Sequence, residues 1–197
     1  MFRRLRLQFI TIASLAILFI LVFTVGIINT VRYFQTEQEI SKVLNTLTEN
    51  NGSFGKTKKI ETNQGHEIPS DSFRFFSVTL SGDKVVSQDT SHTSLIDDEE
   101  AVSYALAASR MTNTLGTIRE KNINLSYQVS KVRKNKILVV FLDTTSYYNS
   151  SQALLSLSIL LSMFGFIFFV VIVSALSGIV IRPFIRNYEK QRRFITN

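Results

Sequence analysis

The stretch Phe9–Ile28, FITIASLAILFILVFTVGII, runs for 20 residues without a charge, and Ala153–Ile181, ALLSLSILLSMFGFIFFVVIVSALSGIVI, for 29 more. An α-helix rises about 1.5 Å per residue, so roughly 20 apolar residues cross a hydrocarbon core of about 30 Å. Both runs therefore read as membrane spans, because a core helix of a soluble protein is seldom charge-free for so long. The second has residues to spare, which it must absorb by tilting or protruding. The first is too long for the apolar region of a cleaved leader, roughly 7–15 residues, and no small-x-small cleavage site follows it. The reading places the spans at residues 9–31 and 153–181, with residues 1–8, 32–152 and 182–197 outside the hydrocarbon.

The net charge of +7 sharpens this picture. Residues 32–152 hold 14 Lys or Arg and 14 Asp or Glu, so the middle is neutral. Arg3, Arg4 and Arg6, with Arg182, Arg186, Lys190, Arg192 and Arg193 less Glu189, account for the whole excess. Basic residues flanking both spans on one side follow the positive-inside rule. Both termini are expected in the cytoplasm, with 32–152 outside a cell membrane. The basic excess then reports topology and contact with anionic lipid, and gives no reason to expect a nucleic-acid partner. The chain has no cysteine, so the outer segment has neither disulfides nor thiolate metal sites. That fits a bacterial, Gram-positive surface.

Downstream of the first span, VRYFQTEQEISKVLNTLTENNG (Val31–Gly52) contains no Pro and no Gly before its end. Tyr33, Ile40, Leu44 and Leu47 recur on one helical face, and Asn50-Asn51-Gly52 is a stop signal. The first membrane helix is expected to continue outward as one rod to about Glu49. Residues 50–71 are polar and read as a loop. SFRFFSVTLSGDKVVSQD (Ser72–Asp89) reads as a hairpin about Ser81-Gly82-Asp83-Lys84. In SLIDDEEAVSYALAASRM (Ser94–Met111), Asp97 caps a helix, Glu100 completes the capping box, and Ile96 with Ala101 forms the staple. Val102, Ala105, Leu106 and Ser109 are the expected packing face. GTIREKNINLSYQVSKVRKNKILVVFLDTT (Gly116–Thr145) reads as two or three strands with a tight turn at Arg133–Lys136. Tyr147 and Tyr148 stand where aromatic anchors of the outer interface are expected. The expected fold is an α+β membrane protein: two transmembrane helices around a small antiparallel sheet with helices on it, then a cytoplasmic helical stalk.

Catalytic signals are weak. His66 and His92 read as solvated loop histidines, and the spacing of His66, Glu67 and Asp71 is common by chance. Asp97-Asp98-Glu99-Glu100 could collect divalent cations or a cationic peptide, but it sits at a helix N-terminus, where carboxylates are favoured by the dipole and the free N–H groups, and the structural reading is preferred. No nucleophile motif, phosphate-binding glycine loop or zinc-protease helix occurs in the sequence. No catalytic, metal or cofactor residue is assigned in this chain. The basic Lys131–Lys136 segment reads as a solvated hairpin tip, with approach to lipid or an anionic wall polymer as the alternative.

In the second span, Ser158 with Ser162, and Ser174 with Gly178, are small-xxx-small pairs of the kind that let helices approach closely. They mark either a dimer seam or the ordinary abundance of small residues in membrane helices. Arg182-Pro183 ends the apolar run, and proline is tolerated where a helix restarts. Beyond it Ile181, Tyr188 and Ile195 are seven apart, with Phe184 and Gln191 between them. This is a short a/d seam, and it suits either a signalling stalk or an amphipathic tail lying on lipid.

The terminal stretch RPFIRNYEKQRRFITN (Arg182–Asn197) resembles the segment that leads from the last span into the phosphotransfer helix of bacterial sensor histidine kinases. In that family x-x-Q-x-x-F-x-x-[ND] runs into a box containing the phospho-acceptor histidine. Gln191, Phe194 and Asn197 match the approach, and the box would follow Asn197. The outer segment's order of elements likewise resembles a PAS-like extracytoplasmic sensor domain, with a helix leading in and a last strand feeding the second span. The resemblance covers about 15 terminal residues plus the two-span layout, and there is no room for a second HAMP helix.

The resemblance implies the sensing half of a two-component histidine kinase, homodimeric, contacting membrane lipid and answering an unidentified extracellular stimulus. Its stalk, with Pro183, Phe184, Tyr188, Gln191 and Ile195, would pass sliding or rotation of the spans to a kinase core beyond Asn197. Only that core would bind ATP and Mg and meet a cognate response regulator; this chain has no ATP site and is expected to be inactive alone. The alternatives are a non-enzymatic membrane receptor or regulator, and a truncated gene product.

Overall fold

The computed structural model describes residues 2–55, 59–61, 65, 67–120, 123–132 and 136–195, with the backbone alone for 2, 3, 5 and 178–195. The chain divides into two compact units, residues 1–31 with 152–197, and residues 32–151. The protein is α+β.

Two helices are long and apolar enough to cross a membrane. Helix α1 runs unbroken over Phe2–Glu49, and α3 over Thr145–Ile195, straight through the Arg182-Pro183 step. α1 ends where the sequence reading placed its stop. Asn51 has φ 57° and Gly52 φ 88°, and the Gly52 N–H donates to the Leu47 carbonyl at 2.8 Å while Asn51 N–H reaches Thr48 at 3.2 Å. These are the two bonds of a Schellman cap, with Asn51 in the left-handed position.

The central unit is built on a five-stranded antiparallel sheet. Strands β3 (Phe75–Ser81), β4 (Lys84–Asp89), β5 (Leu115–Glu120), β6 (Ile123–Val132) and β7 (Lys136–Asp143) lie in the order β4-β3-β7-β6-β5. The first strand of the hairpin and the last strand of the meander are thus central neighbours, with Val78 opposite Val139 and Phe76 opposite Phe141. β3 and β4 join through Gly82-Asp83, where Gly82 has φ 61° and Asp83 does not share the sign, as in a type II′ turn. The meander has three strands; residues 133–135 of the expected Arg133–Lys136 turn lie outside the described residues.

Both faces of the sheet are covered, which explains why β3 and β7 read as almost continuous apolar runs. Successive side chains alternate between the faces. Phe75, Leu138, Val140 and Leu142 pack with Ile40, Val43, Leu44 and Leu47 of α1. Phe76, Val78, Leu80, Val139 and Phe141 pack with α2 (Asp98–Arg110) on the other face. Asp97 caps α2, its carboxylate accepting from the Glu100 N–H at 2.8 Å, and both staple residues Ile96 and Ala101 are buried. Asp97→Ala is expected to cost about 1 kcal/mol, read as a lower urea midpoint for the central unit.

Three expectations need correcting. Residues 50–71 are not a plain loop: β1 (Lys59–Glu61) pairs with β2 (Glu67–Pro69), followed by a 3-10 turn at Ser70–Ser72. The packing face of α2 is Ala101, Ala105 and Ala108, while Val102, Leu106 and Ser109 are only half-buried. Alanines let the helix axis approach the sheet, so the bulkier residues are pushed to the flanks. On α1, Tyr33 is 56% exposed and does not share the buried face of Ile40, Leu44 and Leu47.

Candidate functional site

Among the described residues no group of three or more His, Asp or Glu side chains is placed to hold a metal ion. The cleft lined by Arg74, Phe76, Ile96, Leu125 and Asp143 is too tight for a water molecule. The concentration of polar contacts lies instead where the sheet meets the stems of the two long helices.

One residue, Thr144, separates β7 from α3. Its side chain is fully buried. The Thr144 hydroxyl donates to the Asn124 carbonyl at 3.0 Å and lies 3.0 Å from the Ser126 hydroxyl. The Thr144 N–H donates to the same Asn124 carbonyl at 2.8 Å. Asn124 returns a bond, its N–H donating to Thr145 Oγ1 at 2.9 Å, and the Asp143 carboxylate accepts from the Thr145 N–H at 2.9 Å. The start of β6 and the first turn of α3 are therefore laced together.

A turn further on, Tyr148 OH donates to Glu37 Oε1 of α1 at 2.9 Å. The Arg119 guanidinium lies 5.5 Å from the centre of the Tyr148 ring, a cation–π distance. Burial first, and then the Glu37 bond, hold the Tyr148 phenol above its ordinary range. On the same side of the sheet Gln128 Nε2 donates to Asn45 of α1 at 2.8 Å. α1 and α3 are thus tied to the sheet and, through Glu37 and Tyr148, to each other. Tyr148→Phe is expected to cost about 1 kcal/mol in stability and to loosen the two stems, seen as a broader spin-label distance distribution between them.

On the far face, Tyr104 OH donates to the Glu120 carboxylate at 2.5 Å, tying α2 to β5. That bond, ahead of burial, pushes the Tyr104 phenol up to about 12. A phenol raised in the folded state stabilises the fold fully below the unfolded value near 10, and loses that contribution as pH rises through the folded value. The ultraviolet titration is accordingly expected to contain a tyrosine ionising near pH 12 that is absent from Tyr104→Phe; an unchanged titration would contradict the bond.

The residues singled out in the sequence fall as follows. The backbone of Pro183, Phe184, Tyr188, Gln191 and Ile195 is helical within α3, and their side chains lie outside the described residues. Ser158 and Ser162 are half-buried, and the Ser174 carbonyl accepts a bond from Arg6; Gly178 lies in the same helix. His66 lies outside the described residues. His92 is an exposed loop histidine, as expected, and its ring also stacks on Phe75 at 4.5 Å with 16° between planes. Tyr147 and Tyr148 pack against the core cluster of α1 and the sheet, whereas Tyr33 and Phe34 are the exposed aromatics beside the first apolar run. Sequence reasoning missed Glu37, Asn124 and Thr144, because partners up to 111 residues apart leave no local pattern.

No protein-family model, curated protein or solved structure matches this chain.

Proposed function

We propose that this chain is the sensing and transmembrane portion of a two-component histidine kinase. Residues 32–152 form a PAS-like domain outside the cell membrane, and both termini lie in the cytoplasm. The observation that carries the reading is the continuity of the long helices. α1 passes without a break from an apolar run into the packed core of an α+β unit. One residue after the last strand, α3 starts and runs through a second apolar stretch to Ile195. A stimulus that repacks the sheet acts on both stems at the Thr144 and Glu37–Tyr148 contacts.

The element order supports the PAS-like assignment: a helix leading in, a hairpin, a short helix, a meander, and a last strand feeding a helix. The basic residues flanking both apolar runs support the topology. The terminal RPFIRNYEKQRRFITN supports the kinase connection, with Tyr188 and Ile195 on the seam that would repack between two arrangements. The stimulus biases that equilibrium only through a difference in affinity for the two. The chain acts as a homodimer, and phosphoryl transfer from ATP with Mg to a response regulator belongs to a kinase core outside these residues.

The topology is tested with single cysteines in an otherwise cysteine-free chain. A membrane-impermeant maleimide is expected to label Ser87→Cys on intact cells, and Asn197→Cys only after permeabilisation. Labelling in the opposite sense would overturn the reading.

A further inference from the structure

Two independent marks show how α1 and α3 lie against each other within the unit of residues 1–31 and 152–197. The first is Arg6. Its Nε donates to Ser177 Oγ at 2.8 Å and its Nη2 to the Ser174 carbonyl at 2.7 Å. Ser177 is 1% exposed, the most enclosed described residue of this unit. A planar guanidinium gripping two acceptors one turn apart fixes axial position as well as distance.

The second mark is the exposure pattern. Counting away from the Arg6–Ser177 pair in opposite directions brings Ile10 level with Val173, Ile17 with Phe166, Leu21 with Ser162 and Val25 with Ser158. All eight are half-buried, while most residues between them are exposed. A shift of one residue in either helix would destroy this match, whereas a shift of four, about one turn, would keep it. The exposure stripe therefore shows which faces of the two helices meet, and the Arg6 bonds select one register among those a turn apart.

We infer that the small-residue face of α3 carrying Ser158 and Ser162 is occupied by α1 of the same chain, held in register by Arg6, and that the two helices move as one piece. A second copy must then dock on another face. Sliding α3 past α1 by half a turn would pull both Arg6 bonds off their acceptors and leave the enclosed Ser177 hydroxyl without its guanidinium partner. The stimulus is transmitted by rotation or tilt of the helical pair rather than by a piston between its members. That last step rests on the sensor reading; the register does not.

The chain has no cysteine, so introduced pairs report without background. In membranes containing the full chain, a short bifunctional thiol reagent is expected to link Leu21→Cys to Ser162→Cys, and Val25→Cys to Ser158→Cys, within one chain. Leu21→Cys with Ser158→Cys, about 6 Å out of register, should link far more slowly. Ser158→Cys alone should give no linked dimer. A dimer from that single variant, or equal rates for the off-register pair, would overturn the inference. Ser177→Ala and Arg6→Lys both keep the charge that sets topology. Each is expected to speed the off-register reaction about tenfold, the effect of losing a charge-assisted hydrogen bond; an unchanged rate would refute the latch. Since the readout is a distance within one chain, it stands or falls separately from any signalling activity.

Discussion

Phe141→Ala is expected to destabilise the central unit by about 3–5 kcal/mol. Phe141 is fully buried on β7, the middle strand of the sheet. Its ring stacks on Phe76 at 4.6 Å and 8°, and Tyr127 lies against it at 5.8 Å. The strand is hydrogen-bonded on both sides, to β3 and to β6. The backbone therefore cannot collapse into the space left by the ring, and the cost stays near the top of the range for core truncations. Domains of this size have about 5–15 kcal/mol in all, so the variant should approach the unfolding threshold. Urea unfolding of the detergent-solubilised chain should show a much lower midpoint at unchanged slope. Val86→Ala, on the edge strand and 45% exposed, should change stability by no more than about 0.5 kcal/mol. A loss below about 1 kcal/mol for Phe141→Ala would contradict the packing described.

Gly52→Ala is the second large expected effect, about 3 kcal/mol from two separable sources. Gly52 sits at φ 88°, a conformation that L side chains adopt with strain. A Cβ there would also collide with the side chain of Ser77 on β3. The glycine lets the end of α1 close against the middle of the sheet, so the penalty arises at the seam between the helix and the core it packs on. Combining Gly52→Ala with Ser77→Gly removes the collision but leaves the backbone strain. The double variant is therefore expected to recover part of the loss once the cost of Ser77→Gly alone is subtracted. Full recovery would mean that the left-handed backbone carries no cost, and no recovery that the contact with Ser77 is absent.

Much of the fold was legible because its signals are local. The charge-free runs, the Asn51-Gly52 stop, the Gly82-Asp83 turn and the Asp97 cap each need only a few adjacent residues. The errors came where tertiary packing decides. β1 and β2 are three residues each, with Ile60 and Ile68 as their inward apolar side chains, too short for periodicity to register. On α2 the bulky Val102 and Leu106 outweigh alanine on any hydrophobicity scale, yet close approach to the sheet selects Ala101, Ala105 and Ala108. The candidate joint was the least legible part. Glu37 and Tyr148 look like an exposed acid and an interface aromatic until the fold brings them to 2.9 Å. Arg6 reads as a topology signal, which conceals its bonds to Ser174 and Ser177.

On the proposed reading, residues 32–152 speak to the cytoplasm through the rotational setting of the α3 helix. The measurement that tests it most directly joins Asn197 to the phosphotransfer helix and catalytic domain of a sensor kinase, with zero to seven alanines inserted after Pro183. Each insertion turns everything downstream by about 100°, and seven restore the original face to within about 20°. Autophosphorylation is predicted to rise and fall with the helical period along the series and to return near its starting value at seven. A profile that is flat, or that decays steadily with length, would contradict the account.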